Sequence, residues 1–371
     1  MSAMRNGPVG VGIIGAGAIS TTYLENLTRF PDVEVHFVAD IDRDRARAQA
    51  ERFGVSRSGT VDDLLASDEV EIVVNLTIPA AHAPVAKRAL EAGKSVWSEK
   101  PLALDRRSGE ELIAEAAARG LRVASAPDTF LGPGIQSALR AITDGLIGSP
   151  VTARAFFRSP GPEPWHPRPD FYYTAGGGPL FDMAPYYLTA LVQLLGPVAA
   201  VSATSTRPRS TRVIGSGERR GEEIPVEIDT QYSALLRFES GVTAQAEFSF
   251  DSPFAYEPLL EVTGSGGAIT ISDPNAFEGT QFLWRFDDDS PREIAAAGSD
   301  VGRGTGVVEM ARAIRSGVPQ RASGALAYHV LDVMISIQQS AEERCWIDLA
   351  STVEPPAPLP DDFDPRRRTL G

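Results

Sequence analysis

The segment Gly12-Ile13-Ile14-Gly15-Ala16-Gly17-Ala18-Ile19-Ser20 sets glycines where an apolar run gives way to a helical pattern. Glycines there let the backbone turn tightly and approach a pyrophosphate at the helix N-terminus, whose unpaired N–H groups favour an anion. The third fingerprint position holds Ser20 instead of glycine. Asp40 ends the second apolar run, where an acid can accept from the adenosine ribose hydroxyls. A carboxylate at that place repels a 2′-phosphate, so NAD is expected over NADP. The plainer alternatives are a glycine turn without a ligand and Asp40 as a turn or helix-start residue.

Trp165 and His166 lie in a Pro-rich loop ahead of the glycine run Gly176-Gly177-Gly178. An indole face on the C–H face of a sugar, with an imidazole on a hydroxyl, is familiar carbohydrate chemistry, and loop packing is the plainer use of the same residues. His82 falls in the first turn of a helix that follows Thr77 and Pro79, where it could approach a cofactor. His36 reads as a strand residue and His329 as part of a late apolar helix. No His/Cys/Asp/Glu spacing suggests a metal.

The elements that must hold these residues follow from periodicity. From residue 9 to 127, β-rich runs (Val9–Ile14, Val33–Ala39, Val70–Thr77, Ser95–Ser98, Arg122–Ala126) alternate with helical stretches (Ile19–Phe30, Arg43–Phe53, Pro79–Ala92, Ser108–Arg119). That alternation predicts a right-handed, doubly wound parallel sheet. Ser108 and Glu111 carry the spacing of a capping box. Beyond residue 127 the pattern gives a helix (Gly134–Leu146), a strand (Val151–Arg158), a helix ending at Leu195 and two antiparallel hairpins. These are Gln231–Glu239 with Val242–Phe250, and Leu259–Thr263 with Ala268–Ser272. Helices at Val307–Ser316 and Leu326–Glu343 follow. The expected organisation is residues 1–127, 128–350 and a loosely held tail, 351–371.

The chain has 371 residues, 43% hydrophobic and 23% charged, the balance of a soluble globular protein. Its 49 acidic against 35 basic residues give a net charge of −14, which disfavours nucleic acid and anionic membrane surfaces. Val9–Ile19 imitates a secretory apolar region, and the uncharged stretch Met183–Thr206 imitates a span. Four glycines in the first, and Pro185, Gly196 and Pro197 in the second, argue against both readings. Cys345 is the single cysteine, so no disulfide is expected and the cytoplasm is the expected location.

Glu99-Lys100-Pro101 follows the fourth predicted strand, and Gly-Gly-Gly-Pro-Leu-Phe-Asp-Met-Ala-Pro-Tyr spans Gly176 to Tyr186. With these two motifs in order the chain resembles the Gfo/Idh/MocA oxidoreductases over nearly its whole length. The resemblance implies an N-terminal Rossmann domain joined to a C-terminal α/β domain with a large open, mostly antiparallel sheet. It further implies NAD(P)-dependent oxidation or reduction of sugars, sugar derivatives or cyclitols, by a homodimer or homotetramer. Leu235, Val242, Ala246 and Phe248 are expected to feed an apolar sheet face needing cover.

Matched residue by residue, the resemblance gives Lys100 as the catalytic lysine and lays the family's D-x-G-x-H-x-x-D pattern on Asp182, Ala184, Tyr186 and Thr189. Tyrosine takes the histidine place, as in members resembling glucose-fructose oxidoreductase and dihydrodiol dehydrogenase. Taking a proton from a secondary alcohol and holding its oxygen needs a base and a donor, which Tyr186 and Lys100 can supply. A nearby ammonium favours phenolate. Asp182, four residues earlier, would orient Lys100 or the substrate if one helix included both. The plainer uses are a surface lysine, a helix N-cap at Asp182 and a core aromatic at Tyr186. The cofactor set is Gly15, Gly17, Ala18, Ile19, Asp40, Arg43, Thr77, Pro79, His82, Glu99 and Lys100; the substrate set is Asp128, Trp165 and His166. Rival readings are a sugar lyase or glycosidase that uses retained NAD for transient oxidation, and a non-catalytic NAD-binding protein.

Overall fold

The computed structural model describes residues 6–255, 259–299 and 301–371, which divide into two compact units. The first comprises residues up to Gly132 with Gly298–Tyr328 and Leu359–Gly371; the second comprises Pro133–Ala297 and His329–Pro358. The tail is therefore not loose. Asp32, fully buried, accepts N–H bonds from Thr369 (2.8 Å) and Leu370 (2.9 Å), and Arg312 donates to the Asp364 carbonyl at 2.8 Å. Burial opposes the Asp32 charge, but these bonds outweigh it and hold the carboxyl below its ordinary range.

In the first unit the chain order is β1 (Val9–Ile14), α1 (Ala18–Leu27), β2 (Val33–Ala39), α2 (Arg43–Phe53), β3 (Arg57–Gly59), α3 (Val61–Leu65), β4 (Ile72–Asn75), α4 (Pro79–Glu91), β5 (Ser95–Ser98), α5 (Arg106–Arg119) and β6 (Val123–Ser125). The sheet is parallel with order β3-β2-β1-β4-β5-β6, a doubly wound order that reverses beside β1. Strands β1, β4 and β5 are buried along their whole length, as helices on both faces require. β3 and α3 go unannounced by periodicity, because Arg57–Gly59 carries no apolar side chain. α5 begins earlier than its sequence suggests: Asp105 is its N-cap and accepts the Ser108 N–H at 2.8 Å, so the Ser108 capping box does not form.

The second unit contains α6 (Pro133–Thr143), β7 (Pro150–Arg158), α7 (Gly178–Asp182), α8 (Ala184–Leu195), β8 (Val198–Thr206), β9 (Thr211–Val213), β10 (Glu223–Pro225), β11 (Gln231–Phe238), β12 (Thr243–Ser249), β13 (Leu259–Gly264), β14 (Gly267–Ile271), β15 (Gln281–Arg285), β16 (Arg292–Ile294) and β17 (Ile347–Asp348). Nine strands form one sheet, β16-β15-β14-β13-β7-β12-β11-β8-β17, antiparallel except for the parallel pair β12–β7. β9 and β10 form a separate hairpin. Helices α9 (Thr305–Ser316) and α10 (Gly324–Glu343) complete the chain order, α9 lying in the first unit. Within the second unit, α10 is tied to β8 where Ser340 Oγ accepts the Ala203 N–H at 2.9 Å.

Strict alternation along β11 and β12 sends Ala234, Leu236, Ala246 and Phe248 to the covered face. The expected apolar row is thus split: Leu235 alone of its set is exposed, and Val242 lies just before β12 and is buried. Among the described residues no helix is long and apolar enough to cross a membrane.

Candidate active site

Parallel register brings the first set of residues together. Ile14 pairs with both Ala39 and Asn75, and Asn75 pairs with Ser98, so Gly15, Asp40, Leu76 and Glu99 all follow the sheet at its carboxyl edge. Gly15 has φ +104°, and a Cβ there would strike the Leu76 carbonyl oxygen at 2.6 Å, so this position requires glycine. Gly17 serves as the N-cap of α1 without a side-chain cap, and a Cβ on it would meet nothing within 4 Å. Open space over uncapped N–H groups fits a pyrophosphate, and Ala18 and Ile19 open that first turn. The residues present therefore fit a dinucleotide.

Asp40 is 8% exposed, its Oδ2 accepting the Ala16 N–H at 2.7 Å and its Oδ1 the Asp42 N–H at 2.8 Å. Arg43 is exposed at the start of α2. Ile41, 94% exposed, and Ile78, 59% exposed, stand just beyond β2 and beside Pro79. Neither was singled out in the sequence, where an isoleucine at a strand end reads as core; they offer apolar faces to a base or ring. Thr77 Oγ donates to Asn75 Oδ1 at 2.7 Å.

His82 does not stand where a cofactor contact was expected. Its ring is 1% exposed, with Nδ1 2.7 Å from the Pro101 carbonyl and Nε2 2.9 Å from the Thr77 carbonyl. Both nitrogens are spent on backbone, so the ring braces the Thr77 and Pro101 turns and does not reach a cofactor. Two carbonyl partners favour the cation; burial is the larger effect and lowers the pKa.

Lys100 follows β5, half-buried, and its N–H donates to Glu99 Oε2 at 3.3 Å. The other oxygen of Glu99 accepts from Tyr23 Oη at 2.8 Å, and Trp97 Nε1 donates to the same phenol at 3.2 Å. Tyr23, on the buried side of α1, thus fixes the residue that precedes the lysine; its pattern reads as plain core and gave no sign of this.

Asp128 likewise departs from the expected substrate contact. It is wholly buried, Oδ2 accepting the N–H groups of Gly304 (2.9 Å) and Gly306 (3.1 Å), with Arg303 3.9 Å from Oδ1. Burial raises its pKa to about 6 against the opposing pull of Arg303. A carboxylate enclosed by its own chain has no surface to offer a substrate.

In the second unit the helix expected to run to Leu195 is broken at Met183. Asp182 is the last residue of α7, and Tyr186, 6% exposed, sits in the first turn of α8, where Pro185 is tolerated. Asp182 is therefore not an N-cap. It lines a cavity of about 270 Å³ together with Phe157, Pro160, Trp165, Met183 and Phe250. Trp165 is 64% exposed, with its ring edge-on to His166 at 5.5 Å. Burial lowers the His166 pKa, so the ring is neutral near pH 7, and Nδ1 accepts the Arg168 N–H at 3.1 Å. That leaves the proton on Nε2, a hydrogen-bond donor of the kind a hydroxyl oxygen accepts.

Residues 9–126 match the profile of an oxidoreductase family described as an NAD-binding Rossmann fold, and residues 135–270 match the GFO/IDH/MocA C-terminal domain. Among similar proteins, inositol 2-dehydrogenase 3 of Saccharopolyspora erythraea is 30% identical over 270 residues, 72% of this chain and 74% of the relative. The dTDP-3,4-didehydro-2,6-dideoxy-alpha-D-glucose 3-reductase of Actinomadura kijaniata is 33% identical over 71% of this chain and 75% of its own length. Levoglucosan dehydrogenase, solved in complex with NADH and levoglucosan, superposes with a TM-score of 0.81 at 21% identity, covering 93% of this chain and 100% of that one.

Proposed function

This chain belongs to the Gfo/Idh/MocA family of NAD-binding oxidoreductases, and from that premise we propose that it oxidises or reduces a secondary hydroxyl or ketone of a sugar, sugar derivative or cyclitol. The observation that carries the reading is the shared strand edge in the first unit. There Gly15, the uncapped start of α1, Asp40 and Glu99-Lys100 all follow strands paired in register. The dehydrogenase and reductase names of the relatives support the same class of substrate.

When bound, NAD supplies the two-electron acceptor. Ala18 and Ile19 would hold its phosphates by their N–H groups, with Gly17 allowing close approach. Asp40 would accept from the adenosine ribose, which selects NAD over NADP. Lys100 donates to the substrate oxygen as negative charge develops on it, and Tyr186 takes the hydroxyl proton. Asp182 orients the substrate hydroxyl, and Trp165 and His166 contact the rest of the substrate molecule. Self-association into a dimer or tetramer would cover the exposed sheet face carrying Leu235, Phe282 and Trp284. The cytoplasm is the proposed location, since Cys345 has no second cysteine to pair with.

A panel of sugars and cyclitols read at 340 nm, with mass spectrometry of the protein as purified, tests the proposal. Net NADH from at least one member is the expected result. Stoichiometric retained NAD with no net NADH, but with substrate eliminated or hydrolysed, would overturn it.

A further inference from the structure

We infer that the substrate carries an apolar group beside its reacting ring, as an aryl or alkyl glycoside does, and that the Pro-rich loop 159–173 is a preformed platform for that group. The inference rests on the proposed function for the reacting ring and goes beyond it in naming what the ring bears.

The cavity beside Asp182 is walled by Phe157, Pro160, Trp165, Met183 and Phe250, and among its described lining residues Asp182 is the one ionisable side chain. A free hexose or cyclitol presents a hydroxyl on nearly every carbon. Apart from Asp182 and Ser159 the described wall gives such a ring few partners, so much of its polar surface would lose water uncompensated, which is unfavourable. An apolar substituent gains there by leaving water. The wall therefore suits a ligand whose hydroxyls gather at Asp182 and whose remainder is apolar.

The platform is extended and aromatic. Trp165 contacts His166 at 5.5 Å and Tyr172 at 6.4 Å, and His166 contacts Phe171 and Tyr172, both at 5.5 Å. The indole is 64% exposed, and the loop that carries it is pinned. Arg212, itself 3% exposed, donates to the Pro160 carbonyl (3.0 Å), Glu163 Oε1 (2.8 Å), the Phe250 carbonyl (3.0 Å) and Asp251 Oδ1 (2.6 Å). Tyr173 Oη donates to the other oxygen of Glu163. Gly161 has φ +100°, and a Cβ there would strike both Tyr173 Oη and Glu163 Oε2. Near the loop's other end Asp170 receives two bonds from Arg219, at 2.7 and 3.1 Å. A surface ordered before the ligand arrives loses little entropy on binding, so its contacts appear as affinity. Because Trp165 and Asp182 line one cavity, the occupant is part of the substrate molecule.

The test compares phenyl glycosides of common hexoses with the parent free sugars, using wild-type protein and NAD. The expected result is kcat/KM at least about tenfold higher for the phenyl member of a reactive pair, carried mainly by KM, with that ratio falling towards one in Trp165→Ala. Turnover of free sugars equal to or better than that of their phenyl glycosides would overturn the inference and leave the oxidoreductase reading standing. Indole fluorescence of the NAD-loaded protein reads the platform without turnover. Saturable quenching by phenyl glycosides that is lost in Trp165→Phe supports the platform even if no NADH forms, in which case only the oxidoreductase reading fails. Neither quenching nor turnover with any phenyl glycoside overturns the inference.

Discussion

The Asp40 carboxylate reaches back to the glycine turn and accepts the Ala16 N–H at 2.7 Å, while its other oxygen takes the Asp42 N–H at 2.8 Å and the Arg45 guanidinium at 3.3 Å, so the side chain proposed for the ribose also shapes the turn proposed for the phosphates. Asp40→Ala should therefore do two things at once. It should narrow the preference for NAD over NADP, and it should raise KM for both cofactors because the turn loses its anchor. Steady-state kinetics with each cofactor check this. A wild type preferring NADP by tenfold or more would contradict the assignment.

Lys100→Met should retain fold and NAD binding while kcat falls by roughly 10²- to 10³-fold, the scale for losing one donor to a developing oxyanion. Tyr186→Phe keeps the ring and removes the hydroxyl. As the proton acceptor Tyr186 predicts a loss of roughly 10²- to 10⁴-fold, and as packing it predicts almost none. Circular dichroism and cofactor titration separate either loss from misfolding. A near wild-type rate in one variant removes that residue from the chemistry.

How far these assignments were readable differs by residue. β1, β2, α2 and β5 have the bounds that their periodicity suggests, because continuous apolar runs and a clear cap leave little freedom. The Gly15 turn was equally plain, since the strands beside it pair in register. The burial of Asp128 is not legible locally because its partners, Gly304 and Gly306, are 176 and 178 residues away, and no local pattern announces that return. His82 looked available for the same reason, the Pro101 carbonyl being 19 residues on. Arg212 gave no signal at all: its grip on Glu163, 49 residues earlier, exists only once the β9–β10 hairpin has formed.

Asp128 makes stability depend on pH in a direction opposite to that of an ordinary paired carboxylate. Its pKa is raised by burial to about 6, while an unfolded aspartate titrates near ~3.9. Between those values the native state holds the extra proton, so the Asp128 contribution is full below pH ~4 and is lost as pH rises through about 6. The loss amounts to up to about 3 kcal/mol. Urea unfolding from pH 4 to 7 should show wild type losing ground relative to Asp128→Asn across that window. A constant offset between the two proteins would contradict the assignment.

The exposed sheet face carries Leu235 (49% exposed), Phe282 (41%) and Trp284 (46%), with Trp346 (53%) beside Arg237. Light scattering at micromolar concentration should return two or four times the chain mass of 39.6 kDa. Leu235→Asp with Trp284→Asp should shift the mass towards one chain without loss of secondary structure. A wild-type mass near one chain would contradict self-association.

Net hydride transfer is the central claim, and following the hydrogen itself tests it most directly. A carbon-perdeuterated substrate from the reactive panel is incubated with wild-type protein and excess NAD, and the free nucleotide and the sugar product are weighed by mass spectrometry. The account predicts one deuterium in each free reduced nucleotide, and one ketone formed per nucleotide reduced. Deuterium retained in a product of unchanged oxidation level, with no reduced nucleotide released, would contradict it.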